Sequence, residues 1–118
     1  MIVNDHPIMR VGLRLAVQRE SDMQVVCEVE DELAAAREFE RCRPDVVLID
    51  LQLPHGSSLR AIAAIHALSP TSPIVVLTTF PGEIAVPEST TPGPILCVSK
   101  AARSEEIMAA IRDSVASH

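Results

Sequence analysis

Tryptophan and tyrosine are absent from this chain, and phenylalanine occurs only as Phe39 and Phe80. A platform of aromatic side chains for stacking nucleic-acid bases is thereby excluded, and the core has to be aliphatic. Cysteine is scarce as well. Cys27, Cys42 and Cys97 make an odd number at scattered spacings, with no disulfide framework and no ligand pair at zinc spacing. Thiols buried in a reducing cytoplasm are the plain expectation for them. Positive charge is in the minority, with 10 Lys and Arg against 16 Asp and Glu. The net charge of -6 speaks against this chain itself gripping nucleic acid or an anionic membrane. No apolar run approaches the roughly 18 residues of a membrane span. The opening MIVNDHP has neither the basic start nor the apolar stretch of a secretory signal. The expected location is the cytoplasm.

What is present suffices for one domain. The chain has 118 residues, of which 47% are hydrophobic and 22% charged, which excludes disorder along its whole length. Two kinds of apolar segment alternate. Met1 to Val3 is a very short β-like start. Pro7 to Arg19 reads as a helix, with Met9, Gly12, Leu13 and Ala16 on one stripe and Ile8, Val11 and Leu15 on another. Met23 to Val29 is rich in β-branched residues and reads as a strand. Asp31 is placed to cap a helix from Glu32 to Cys42 that Pro44 ends, with Leu33, Ala36 and Phe39 facing inward. The continuous runs VVLI (Val46–Ile49) and IVVL (Ile74–Leu77) suit central parallel strands covered on both faces. Between them Ser58 can cap a helix from Leu59 to Leu68. From Phe80 to Pro94 the pattern fails: Pro81, Pro87, Pro92 and Pro94 leave room for a turn or two of helix at most. A last strand, Ile95 to Val98, and a helix from Ser104 to Val115 follow.

This β-α alternation predicts a doubly wound α/β sheet of five parallel strands. Ligands of such sheets bind beyond the carboxyl ends of the strands. The polar residues there are Asn4 and Asp5, then Asp50, then Thr78, then Lys100. Two carboxylates at one place repel each other, and a hard cation such as Mg²⁺ removes the conflict. A lysine neutralises a phosphoryl oxygen and a threonine hydroxyl donates to another, so the set suits phosphoryl transfer to a carboxylate. The plain alternative is that these residues only cap the strand ends.

The segments NDHPIMRVGLRL, RPDVVLIDLQLPHG, IVVLTTF and VSK resemble, in order and spacing, the receiver domain of bacterial two-component response regulators, in particular the NarL/LuxR type. The resemblance implies a flavodoxin-like sheet of order 2-1-3-4-5. It implies that Asp50 is the phosphoacceptor, that Asp5 and the backbone carbonyl of Gln52 bind Mg²⁺ with it, and that Thr78 is the switch hydroxyl. Lys100 matches the lysine that pairs with the phosphate, and Pro54 the proline that shapes the following loop. The implied partner is a sensor histidine kinase.

Four departures accompany the resemblance. Asn4 replaces an acid that reaches the metal mainly through water, which weakens metal binding. Cys97 replaces the aromatic that changes rotamer on activation. The fourth helix is degenerate between Pro81 and Pro94, and the first strand is short. Two functions follow from this: a working receiver that controls an output such as transcription, or a pseudo-receiver that binds a protein without needing phosphate. A small hydrolase is disfavoured, because Gln52 stands where the aspartyl-phosphate hydrolases carry their second acid. The spare stripe of the first helix, with Ile107, Met108, Ile111 and Val115 of the last, predicts a weak homodimer through one of these helices.

Overall fold

A computed structural model describes residues 1–50, 57–79 and 95–116. Gln52, Pro54, His55, Phe80, the proline-broken stretch up to Pro94, and His118 lie outside them. The elements run β1 (Ile2–Val3), α1 (Pro7–Gln18), β2 (Glu28–Val29), α2 (Glu32–Cys42), β3 (Val47–Asp50), α3 (Ser57–Leu68), β4 (Ile74–Thr78), β5 (Ile95–Ser99) and α4 (Ser104–Ala116). The strands form one sheet in the order β2-β1-β3-β4-β5, with every pairing parallel.

Strand alternation divides the core in two. Val3, Val47, Ile49, Ile74 and Val76 point to one face and pack with Ala35 and Phe39 of α2 and Ala61, Ile62 and Ile65 of α3. Ile2, Leu48, Val75 and Leu77 point to the other and meet Leu13, Ala16 and Val17 of α1 and Ile107, Met108, Ala110 and Ile111 of α4. Every residue of β3 and β4 is buried, which is why both read as unbroken apolar runs. The edge strand β5 is half-covered, and Leu96 is 38% exposed.

Several expectations are corrected in detail. The strand expected over Met23–Val29 is only Glu28–Val29, because its partner β1 has two residues and offers nothing further to pair with. In α1, Gly12 is exposed and Val17 takes its inward place, so the buried spacing is 13, 16 and 17. In α2 it is Ala35, not Ala36, that is sealed beneath the helix with Phe39. Ile107, Met108 and Ile111 are all spent on the core, and Val115 alone of the four expected on α4 is exposed. The second stripe of α1 is open to solvent, with Ile8 89% and Leu15 50% exposed.

Polar ties close the rim of the fold. Arg112 of α4 forks onto Asp22 beyond α1, with its Nε 3.0 Å from Oδ2 and Nη2 2.8 Å from Oδ1. Hydrogen bonding from Arg112 holds the Asp22 carboxyl below its ordinary value. Arg43, just past α2, takes the left-handed conformation (φ 47°) that ends the helix before Pro44. Its N–H donates to the Phe39 carbonyl at 2.8 Å.

Because Ile49 sits fully buried in a central strand, Ile49→Ala is expected to destabilise the fold by about 2–5 kcal/mol. Leu15→Ala on the open stripe should stay within about 0.5 kcal/mol. Urea unfolding of the two variants checks the contrast.

Candidate functional site

The parallel register delivers the strand ends to one rim. Val3 pairs with Ile49, so Asn4 and Asp50 follow side by side on adjacent strands. Asp50 pairs with Leu77 and Thr78 with Ser99, which brings the last residue of β4 and the start of the turn after β5 to the same edge. The N–H of Lys100 donates to the Thr78 carbonyl at 2.8 Å, fixing where the lysine leaves the sheet.

Asp50 and Lys100 meet directly. Nζ lies 2.5 Å from Oδ1, with 1% of the Asp50 side chain exposed and 24% of that of Lys100. An uncompensated carboxylate at this depth would cost several kcal/mol, and the ammonium offsets that. Thr78 is buried on the adjacent strand, and Asp5, next to Asn4 in the chain, is exposed. The structure therefore brings together Asn4, Asp5, Asp50, Thr78 and Lys100.

Asn4 is buried and closely held. Its Oδ1 accepts the N–H of His6 at 2.7 Å, its backbone N–H donates to the Val29 carbonyl at 2.9 Å, and its own carbonyl accepts Nη1 of Arg10 at 2.9 Å. Its Nδ2 is buried without a hydrogen-bond partner among the described residues. A hard cation takes oxygen donors. Asp5 and Asp50 are carboxylates of that donor type, whereas Asn4 carries no charge and its one oxygen already accepts the His6 N–H.

Arg10 is the positioning residue that sequence reasoning missed. Besides Asn4, it reaches Glu28 (Nε to Oε1, 3.5 Å) and Glu30 (Nη1 to Oε2, 3.5 Å). It ties α1 and the end of β2 to the loop that carries Asn4 and Asp5. The only sequence signal was its place one helical turn after His6, whose carbonyl its N–H meets at 2.9 Å. At the far side of the rim, Cys97 is half-buried in β5, and burial pushes its thiol up.

Comparison with known proteins agrees with this geometry. YxjL, a transcriptional regulatory protein of Bacillus subtilis, is 33% identical over 94% of this chain and 51% of its own length. The oxygen regulatory protein NreC of Staphylococcus aureus is 32% identical over 95% of this chain and 52% of its own. The chain thus spans about half the length of these relatives. Among solved structures, a LuxR-family two-component response regulator from Aurantimonas superposes with a TM-score of 0.82 at 28% identity, covering 100% of this chain and 84% of that one. The receiver domain of a NarL response regulator from Mycobacterium tuberculosis, at 24% identity, shares the fold with a TM-score of 0.78 over 99% of this chain and 94% of its own. The response regulator receiver domain family matches residues 1–112. With the strand order, the acidic rim and this match in agreement, the chain belongs to the receiver domains of two-component response regulators.

Proposed function

We propose that this receiver accepts a phosphoryl group on Asp50 from a sensor histidine kinase and passes the signal to a transcriptional output. One observation carries the reading: the sealed Asp50 carboxylate with the Lys100 ammonium 2.5 Å away, at the carboxyl end of the central strand. In the transfer a carboxylate oxygen of Asp50 forms the new bond to phosphorus as the bond to the donor's nitrogen breaks. Lys100 then neutralises a phosphoryl oxygen, and the Thr78 hydroxyl donates to another. The domain assists this transfer to itself and is not a turnover enzyme. Mg²⁺, held by Asp5, Asp50 and the Gln52 carbonyl, would neutralise charge on the phosphoryl oxygens when bound.

A second reading, the pseudo-receiver that binds a protein without phosphate, draws its support from Asn4, an uncharged amide whose oxygen already accepts the His6 N–H. Incubation with a small phosphodonor and Mg²⁺, followed by intact mass, separates the two. A working receiver gains one phosphoryl group, and Asp50→Asn gains none. No gain in the unaltered chain favours the second reading.

The Asn4 geometry sets a further expectation. Asn4→Asp exchanges an amide donor for a carboxylate oxygen and adds a negative charge, so Mg²⁺ titration should show tighter binding. Unchanged or weaker binding would show that position 4 does not act on the metal.

For association we propose a weak symmetric homodimer through α1, whose Ile8, Val11 and Leu15 are exposed, with Val115 of α4 as the other exposed apolar residue nearby. Sedimentation at high micromolar concentration should show dimer, and Val11→Glu should abolish it. A monomer throughout, or a dimer indifferent to that change, would remove the proposal. No helix among the described residues is long and apolar enough to cross a membrane.

A further inference from the structure

At the opposite end of the sheet from Asp50, the fold assembles a cluster that receiver chemistry does not use. Cys27 lies just before β2, its carbonyl accepting the N–H of Ile2 at 3.1 Å. Cys42 is the last residue of α2, and Glu38 stands four residues earlier on the same helix. Four residues are about one helical turn, so Glu38 and Cys42 share a face. One ligand atom from each of Cys27, Glu38 and Cys42 lies within 4.8 Å of the other two, and all three residues are half-buried.

We propose that Cys27, Glu38 and Cys42 form a binding site for one thiophilic divalent cation of the zinc class, with a water in the fourth position. Two sulfurs and one carboxylate oxygen are the donor set of a borderline-soft ion, not of Mg²⁺. Bonds of about 2.0–2.3 Å to a tetrahedral ion would hold the ligands roughly 3.3–3.8 Å apart, a separation inside the 4.8 Å that bounds the cluster. Arg41 bonds to Oε2 of Glu38 at 2.6 Å and 2.9 Å, which leaves Oε1 for the ion. The last turn of α2 also presents the negative end of a helix, which favours a cation.

Binding balances without any oxidant. The cation displaces the two thiol protons to solvent and takes Glu38 as the carboxylate. The cluster then carries one negative charge, facing the Arg41 guanidinium. A redox pair fits less well: burial, and then the neighbouring Cys42, push the Cys27 thiol up to about 11. Redox-sensing cysteines are the opposite, with lowered values and open access. The physical consequence of the site is a clamp. The edge strand β2 has only two paired residues, and the ion would tie it to the end of α2.

The test uses the full chain under a non-chelating reductant, titrated with Co²⁺ and then Zn²⁺. The expected result is one ion per chain, thiolate-to-cobalt charge-transfer absorption displaced by Zn²⁺, and a higher melting midpoint with Zn²⁺. Asp50→Asn and Cys97→Ser should retain all three. Cys27→Ser and Cys42→Ser should lose the charge-transfer absorption, and Glu38→Gln should weaken Zn²⁺ binding by about tenfold or more. Should the serine variants unfold, the spectrum of the unaltered chain and the Glu38→Gln titration still decide. No uptake by the reduced folded chain, a cobalt spectrum without thiolate absorption, full affinity in Glu38→Gln, or binding lost in Asp50→Asn would each overturn the site.

Discussion

A carboxylate sealed at the end of a central strand needs a cation, and the sheet is arranged to deliver one. Asp50 is the last residue of β3, with neighbours on both sides of it in the sheet. Its charge is met by Lys100, which is carried on the turn after the edge strand β5. That places a demand on β4 and β5: they must hold register to their last residues. They do so through five paired positions and the bond from Lys100 N–H to the Thr78 carbonyl. The ion pair is thus a reading of the register, and anything that shifts β5 moves the ammonium away from the Asp50 carboxylate.

The two halves of the core constrain the rim differently. On one face α2 and α3 close over Phe39, Ile49, Ile62 and Ile65 with no exposure worth counting. On the other, α1 and α4 close over Leu48 and Leu77 and are tied across their ends by Arg112, Glu20 and Asp22 at the surface. Exposed pairs of this kind contribute little and are weakened by salt. Between α1 and α4 the contact therefore rests mainly on apolar packing. It is also the side on which α1 keeps an uncovered apolar stripe, Ile8, Val11 and Leu15.

Much of the architecture was legible because the central strands are covered on both faces. VVLI and IVVL can be little else, and each ends in the polar residue that reaches the rim. The helices were legible as elements but not in the details of their faces. Whether Gly12 or Val17 of α1 turns inward depends on how the helix sits on the sheet, which spacing alone leaves open. Met23 to Val29 looked like a full strand because β-branched residues favour one, yet strand length at an edge is set by the partner, and β1 is two residues long. The convergence of Cys27 and Cys42 was invisible for a related reason. Fifteen positions separate them, and only the turn of the chain from β2 through α2 returns the second thiol to the first. Arg10 escaped because its three acceptors, Asn4, Glu28 and Glu30, come from two other segments.

Asn4 changes what the rim must balance. With an acid at that position, three carboxylates would face the one ammonium of Lys100, and the resting site would call strongly for a divalent cation. With the amide there are two carboxylates, the buried Asp50 beside Lys100 and Asp5 at an exposed position. The amide thus lowers the negative charge of the rim by one. Under the proposed function a phosphoryl group would add negative charge and several acceptor sites to the rim. Lys100 and Thr78 can serve some of them, and Asn4 has a buried N–H₂ group with no partner among the described residues, held at the strand end beside Asp50. If the proposed transfer takes place, an amide at position 4 would weaken the hold on a cation before it and offer a hydrogen-bond donor to the phosphoryl group after it. The balance of the two effects depends on the Arg10 and His6 contacts that lock the Asn4 side chain and backbone, since they decide which end of the amide faces the site.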